Sequence, residues 1–254
     1  MGLGSSVLSG VGDMYKILAL AAAAIWLAVL ALPDNKLHLV VCDVGQGDAI
    51  LVTYKTTQML VDGGPNSSVL KCLGEHMPFY DHRIEVVVST HDHMDHTGGL
   101  ANVRKRYTIL QFVGKNNYAG DVVKAGEIML RLVWPPRGEV MEDENNNSRV
   151  GLLTYGNFRV WLTGDVNTGL LPESQAADVL KVPHHGSKYG MTREWLEAVR
   201  PQLAIISAGQ RNSYGHPAPE ALRLLQDIGA KVLRTDRDGT VEVVSDGLKW
   251  WVRN

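Results

Sequence analysis

The stretch His91-Asp92-His93-Met94-Asp95-His96-Thr97-Gly98-Gly99 holds four residues able to ligate a metal, His91, His93, Asp95 and His96, within six positions. It follows the apolar run 84–88, whose length and β-branched content predict a buried strand. The Gly-Gly pair predicts a tight turn into a helix over 100–106. Ligands on such a loop are anchored by the strand and can face one point. His91 and His93, two apart, can hold one ion, and Asp95 and His96, projecting from the next turn, can hold a second beside it. Two such ions lower the pKa of a water held between them and stabilise charge building on a substrate oxygen. That chemistry suits phosphodiesters, esters, lactones and thioesters alike, so it does not choose a substrate.

The spacing His-x-His-x-Asp-His resembles the metallo-β-lactamase superfamily, and the resemblance runs along most of the chain. Residues 58–64 (Gln-Met-Leu-Val-Asp-Gly-Gly) are similar to the strand that ends in an aspartate behind the metals. Residues 160–165 (Val-Trp-Leu-Thr-Gly-Asp) are similar to the strand delivering the bridging carboxylate, and 181–187 (Lys-Val-Pro-His-His-Gly-Ser) to the strand end with the last histidine. A narrower resemblance rests on Asp43-Val44-Gly45-Gln46-Gly47-Asp48-Ala49, Asn145-Asn146-Asn147-Ser148, His184-His185-Gly186-Ser187-Lys188 and Ser213-Tyr214-Gly215-His216-Pro217. Together these resemble the C-terminal domain of the ComEC family, competence proteins that form the inner channel for DNA uptake. This match covers about residues 37–254.

The superfamily resemblance implies a ligand set. His91 and His93 would hold the first metal; Asp95, His96 and one histidine of the 184/185 pair would hold the second, with Asp165 bridging. His185 is the favoured member of that pair, since it takes the second place in a Pro-Gly-His-like turn, and His184 would then stand beside it in the cleft. The superfamily's further first-metal histidine has no counterpart, because no histidine lies between His96 and His184. The Asn-rich run stands in its place, with Asn146 or Asn147 as the candidate amide ligand and a plain polar turn as the alternative. An oxygen for a nitrogen favours Mn²⁺ or Mg²⁺ relative to Zn²⁺, and Mn²⁺ is the expected ion. Asp62 is expected to orient a ligand imidazole or the reactive water. Asp43 and Asp48 either do similar work or build a tight turn. Ser187, Lys188 and His216 are candidates for phosphate contacts, or else brace the loops around the metals. Asp95, Asp165 and His216 are the expected catalytic residues. Arg104, Lys105 and Arg106 read as a solvated helix end.

The ComEC resemblance implies a metal-dependent DNA nuclease that degrades the strand not imported, without sequence preference because phosphate contacts carry none. It also implies a bacterial membrane location, with the hydrolase domain on the extracytoplasmic side and the remainder of an uptake channel as partner. Two other functions remain open from sequence: hydrolysis of a small-molecule ester or lactone, and a membrane-tethered DNA-binding module with structural metals.

The composition bounds these readings. The chain has 254 residues, 45% hydrophobic and 20% charged, enough for one domain with a full core. A net charge of −2 means that any DNA contact must come from a local patch. The two cysteines form no metal cluster, and Cys42, inside an apolar run, reads as a buried strand residue rather than half of a bridge. Residues 1–36 form a separate hydrophobic segment. Within it, 17–32 contain no polar residue; a transmembrane helix is the leading reading, although the run is shorter than the roughly 20 residues of a full span. A secretory signal and a buried helix are the alternatives.

Strands are predicted over 37–42, 49–54, 58–61, 84–88, 107–113, 126–133, 149–155, 158–163, 179–182, 203–207, 231–235, 240–245 and 249–253. Helices are predicted over 69–77, 100–106, 192–199 and 219–228, and a loop over 139–147. Strand clusters interrupted by helices fit an α/β (α+β) fold, two sheets face to face with helices outside, an αββα sandwich.

Overall fold

The computed structural model describes residues 5–30 and 33–253. They divide into two units, Met1–Asp34 and Asn35–Asn254. The first contains helix α1 (Ser5–Leu30), on which Ile17, Leu18, Leu20, Ile25 and Trp26 are exposed. The apolar stretch 17–32 follows this helix except for residues 31 and 32, which lie outside the described residues. Among the described residues no helix is long and apolar enough to cross a membrane.

The second unit is an αββα sandwich. Its elements in chain order are β1 (Leu37–Val41), β2 (Ile50–Tyr54), β3 (Thr57–Val61), α2 (Val69–His76), β4 (Arg83–Val88), α3 (Met94–Thr97), α4 (Leu100–Arg106), β5 (Thr108–Val113), β6 (Val122–Ala125), β7 (Ile128–Trp134), β8 (Val150–Tyr155), β9 (Phe158–Leu162), β10 (Val179–Lys181), α5 (Arg193–Val199), β11 (Leu203–Ile206), α6 (Pro219–Asp227), β12 (Lys231–Arg234), α7 (Thr235–Asp238), β13 (Val241–Ser245) and β14 (Trp250–Arg253). One seven-stranded sheet runs β14-β13-β1-β2-β3-β4-β5 and the other β12-β11-β10-β9-β8-β7-β6.

Period-two alternation sorts the side chains into layers. Leu39, Val41, Val52, Val61, Val86 and Val88 of the first sheet meet Leu130, Leu153, Val160, Val179 and Ile205 of the second. The outward residues Val40, Leu51, Leu60 and Val87 lie under Leu73 of α2 and Val103 of α4. On the other side Trp161, Leu180 and Ala204 lie under Trp195 and Leu196 of α5 and Leu225 of α6. The pairs β3–β4 and β9–β10–β11 are parallel. Their carboxyl ends therefore gather the residues that follow Val61, Val88, Leu162 and Lys181 at one edge of the sandwich, the usual place for a ligand site in parallel sheets.

Two expectations change, and a third stands for a reason of packing. The reading of Cys42 as unbridged is corrected: it is disulfide-bonded to Cys72, with their Cα atoms 5.9 Å apart. The bridge ties the residue after β1 to α2 and encloses 30 residues of sequence separation. Chain-entropy reasoning gives such a closure about 3–4 kcal/mol. Replacing both cysteines with serine is expected to lower the melting temperature by on the order of 10 °C. A calorimetric scan checks this, and unchanged melting would show that the bridge does not constrain the unfolded chain. Next, the Gly98-Gly99 pair forms the expected turn into α4, with both residues right-handed helical. A Cβ on Gly98 would sit 2.2 Å from the Pro65 carbonyl oxygen, and one on Gly99 2.0 Å from that of Gly63. The glycines let the ligand loop press against 63–66, where Gly99 N–H donates to the Gly64 carbonyl at 2.9 Å. Lastly, the Asn-rich stretch is not all loop: Glu144–Asn147 forms a 3₁₀ turn capped by the Asp143 carboxylate.

Candidate metal centre

Asp95, His96, Asp165 and His185 each offer a donor atom, and these atoms all lie within 4.8 Å of one another. They come from three places: α3 just after β4, the end of β9, and the end of β10. His185 rather than His184 makes this set. Both residues have positive φ, 49° and 51°, a left-handed pair that costs a non-glycine residue roughly 1–3 kcal/mol each. The paired distortion turns the His185 ring inward and leaves His184 partly exposed at the cleft wall, its Nε2 3.9 Å from Asp165 Oδ2.

The hydrogen-bond network fixes which nitrogen of each ring faces inward. His96 Nδ1 lies 2.7 Å from Asp62 Oδ2, and His185 Nδ1 lies 3.0 Å from the Ser207 carbonyl; both nitrogens must donate there. Asp62 also accepts from Thr90 N–H at 2.8 Å and from the Thr90 hydroxyl at 2.7 Å. Thr90 Oγ1 is 3.1 Å and Ser148 Oγ 3.3 Å from His91 Nδ1. Since both hydroxyl protons are already directed elsewhere, His91 Nδ1 donates as well. The Nε2 atoms of His91, His96 and His185, with Asp165 Oδ1, are then buried and without a hydrogen-bond partner. Buried polar atoms left unpaired are rare and costly, and a cluster of lone pairs at one place is what divalent ions satisfy. The donors present therefore fit the metals that the fold implies.

Electrostatics agree. Burial and the neighbouring His96 hold His91 down to about 3, a neutral imidazole. Burial would also depress His96, but Asp165 and Asp62 outweigh it and push its pKa up to about 10. Burial would raise Asp165, yet His185 and His96 hold it well below the usual carboxylate range. A proton or a cation on His96 Nε2 answers the same carboxylates, so metal binding there competes with protonation.

The first-metal group is more open. His93 is exposed, and its ring centroid stands 4.7 Å from that of His91. Neither expected asparagine faces the site. Asn146 Oδ1 accepts from Asn167 N–H at 3.0 Å, and Asn147 is held by Met141 and Glu144. Asn145 is the residue whose Oδ1 is buried, unpaired and on the cleft wall. Ser148 locks this arrangement: its hydroxyl donates to the Asn145 carbonyl at 2.7 Å and accepts from Asp165 N–H at 3.0 Å.

The other expected residues separate. Asp43 is exposed and braces its own turn through Gly45 N–H at 3.2 Å, away from the ligands. Asp48 is buried at the centre: its N–H donates to the Asp95 carbonyl at 3.1 Å, and its Oδ1 is 3.4 Å from His185 Nδ1. The preceding Gly47 permits this approach, because a Cβ there would lie 2.0 Å from the same carbonyl oxygen. Beneath Asp48 is a residue that sequence reading passed over. Lys181 Nζ lies 2.7 Å from Asp48 Oδ2, and both side chains are 1% exposed. His216 lines the cleft, while burial and the nearby His184 lower its pKa and keep it neutral. Ser187 and Lys188 do not line it: Ser187 is buried in its loop, and Lys188 stands over the Tyr189 ring. The cleft has a volume of about 540 Å³.

Residues 42–121 match the metallo-beta-lactamase superfamily. The chain is 30% identical over 248 residues to ComE operon protein 3 of Bacillus subtilis strain 168, covering 79% of this chain and 32% of that protein. It is 27% identical to competence protein ComA of Neisseria gonorrhoeae, covering 84% and 33%. It thus spans about a third of the length of these relatives. Among solved structures it is similar to the metallo-beta-lactamase fold protein YhfI of Bacillus subtilis, with a TM-score of 0.56 at 14% identity, covering 81% of this chain and 99% of that one. Fold and relatives agree: the chain contains a metallo-β-lactamase-fold domain, with the superfamily match over residues 42–121, and is similar over about four-fifths of its length to two proteins named for competence.

Proposed function

We propose that this domain is a metal-dependent DNA nuclease that degrades the strand left outside during DNA uptake. The observation that carries the reading is the set of unpaired buried donors, His91, His96, His185 and Asp165, the last two lining a cleft, in a chain similar to competence proteins. Divalent ions, when bound, supply an acidified water and polarise a phosphoryl oxygen. The chain's own residues do the rest. Asp62 and Ser207 fix the two imidazoles, and Asp165 presents one carboxylate oxygen to each of His96 and His185, at 3.3 and 3.4 Å. Neutral His184 and His216, with ring centroids 5.6 Å apart, stand ready to accept or pass a proton at the cleft wall. Hydrolysis of a DNA strand with added Mn²⁺, abolished by EDTA, is the expected result; turnover of a lactone or small ester with no DNA cleavage in any metal would overturn it.

The disulfide supports an extracytoplasmic setting, since such bridges persist in oxidising compartments. The exposed apolar residues of α1 support cover by lipid or by the remainder of a longer protein. Mn²⁺ is proposed as the working ion because Asn145 brings an amide oxygen where a further imidazole would favour Zn²⁺. Asn145→His is expected to shift the ratio of Zn²⁺- to Mn²⁺-supported turnover upward by tenfold or more. Asn146→His should instead lower thermal stability by removing the acceptor for Asn167. An unchanged metal ratio in Asn145→His would remove Asn145 from the ligand set.

A further inference from the structure

The cleft wall combines chemistries that the metals do not explain. Among the described residues, no lysine or arginine lines it. Its rim instead carries Pro65, Met94 and Tyr214, the last two 70% and 69% exposed. Tyr214 lies nearly parallel to His216, at an interplanar angle of 16° with ring centroids 5.9 Å apart. The phenol runs roughly parallel to an imidazole of the cleft, offset from it, and most of the side chain is open to solvent. A tyrosine that merely filled its loop would be buried.

The loop holding it is built rather than loose. Asn212 Nδ2 donates to the carbonyls of Gly209 and His216 at 2.8 and 2.7 Å, and its Oδ1 accepts from His216 N–H at 2.9 Å. Between the two rings Gly215 takes φ 72°, a left-handed conformation open to glycine. The reversal brings residues 214 and 216 to the same side as a stack. A flat ring held in place before binding loses little entropy when a second flat ring settles on it.

A ligand suited to this wall has an anionic centre for the metals and a flat, weakly polar group beside it. We propose that Tyr214 is the stacking platform for an unpaired nucleobase next to the scissile phosphate, making single-stranded nucleic acid the preferred substrate. The inference rests on the nuclease reading and adds to it the strand state and the group recognised. Stacking needs a base freed from its partner, and it ignores base identity because every base has a π-face. With no cationic side chain in the cleft wall, stacking supplies the affinity that phosphate contacts give elsewhere.

The test compares two short oligonucleotides of equal length, one of thymidine and one of abasic sugar phosphates, with the full chain in Mn²⁺. Wild type and Tyr214→Phe are expected to prefer the base-bearing strand by tenfold or more in kcat/KM, mainly through KM. Tyr214→Ala is expected to lose most of that preference, whatever happens to its absolute rate. Equal cleavage of both strands by wild type, or an undiminished preference in Tyr214→Ala, would overturn the platform. Binding of uncleavable phosphorothioate versions separates this idea from the nuclease reading. If neither strand is cleaved in Mn²⁺, Mg²⁺ or Zn²⁺, the nuclease reading fails. The platform then stands if binding still favours bases in a Tyr214-dependent way, and falls if it does not.

Discussion

Asp165→Ala is expected to reduce metal-dependent hydrolysis by about 10³-fold or more, because bound divalent ions would supply several kcal/mol of charge stabilisation and Asp165 would be one of the residues holding them. Among the described residues Asp165 is the one carboxylate facing three imidazoles: His96 at 3.3 Å from Oδ1, and His185 and His184 at 3.4 and 3.9 Å from Oδ2. Its backbone N–H donates to the Ser148 hydroxyl at 3.0 Å, which holds the carboxylate in this place. The sandwich core of Val61, Val88, Val160 and Val179 is apolar and does not depend on it. The variant should therefore remain folded by circular dichroism and hold fewer metal ions per chain by mass spectrometry. Asp43→Ala provides the contrast: it is exposed and braces only its own turn, and its activity should stay within a few-fold of wild type. Near-normal turnover in Asp165→Ala with bound metal intact would sink the two-ion assignment.

What could be read from sequence was whatever is local or periodic. The His-x-His-x-Asp-His spacing behind a β-branched run marks both the candidate donors and the strand before them, and β4 and α4 lie close to the bounds expected from that run and from the glycines after the motif. The Asn-rich run shows where such reading stops. Three consecutive amides are equivalent on paper, and only the phase of the 3₁₀ turn decides that Asn145 faces the cleft while Asn146 and Asn147 are drawn to Asn167 and Met141. The Cys42–Cys72 bridge was illegible for a related reason. It needs the end of β1 to lie beside α2, a contact that no local pattern encodes. Ser187 and Lys188 show the reverse limit: although adjacent in sequence to His185, they do not line the cleft after the left-handed turn at 184 and 185.

Lys181 left a legible mark that went unused. Alternation along β10 puts Val179 in the layer between the sheets and Leu180 outside, so Lys181 must point inward. A lysine there requires a partner, and Asp48 is that partner. Burial alone would raise the Asp48 carboxyl, but Lys181 and His185 hold it well below the usual carboxylate range. The ammonium also donates to the Val182 carbonyl at 3.0 Å, at the root of the strained 184–185 turn. Two consequences separate cleanly by mutation. Lys181→Met strands a buried carboxylate and should cost about 3–5 kcal/mol of stability. Adding Asp48→Asn removes the stranded charge and should restore most of it, because a neutral pair of similar volume is tolerated where a broken ion pair is not. Metal affinity should not recover with stability. The double variant no longer presents a carboxylate to His185, and a loss of such supporting contacts typically costs about 10–100-fold in affinity. Melting curves and metal titrations on both variants decide the point. Wild-type metal binding in the double variant would mean that the pair only braces the fold, whereas restored melting with weakened binding identifies Lys181 and Asp48 as the groups that position His185.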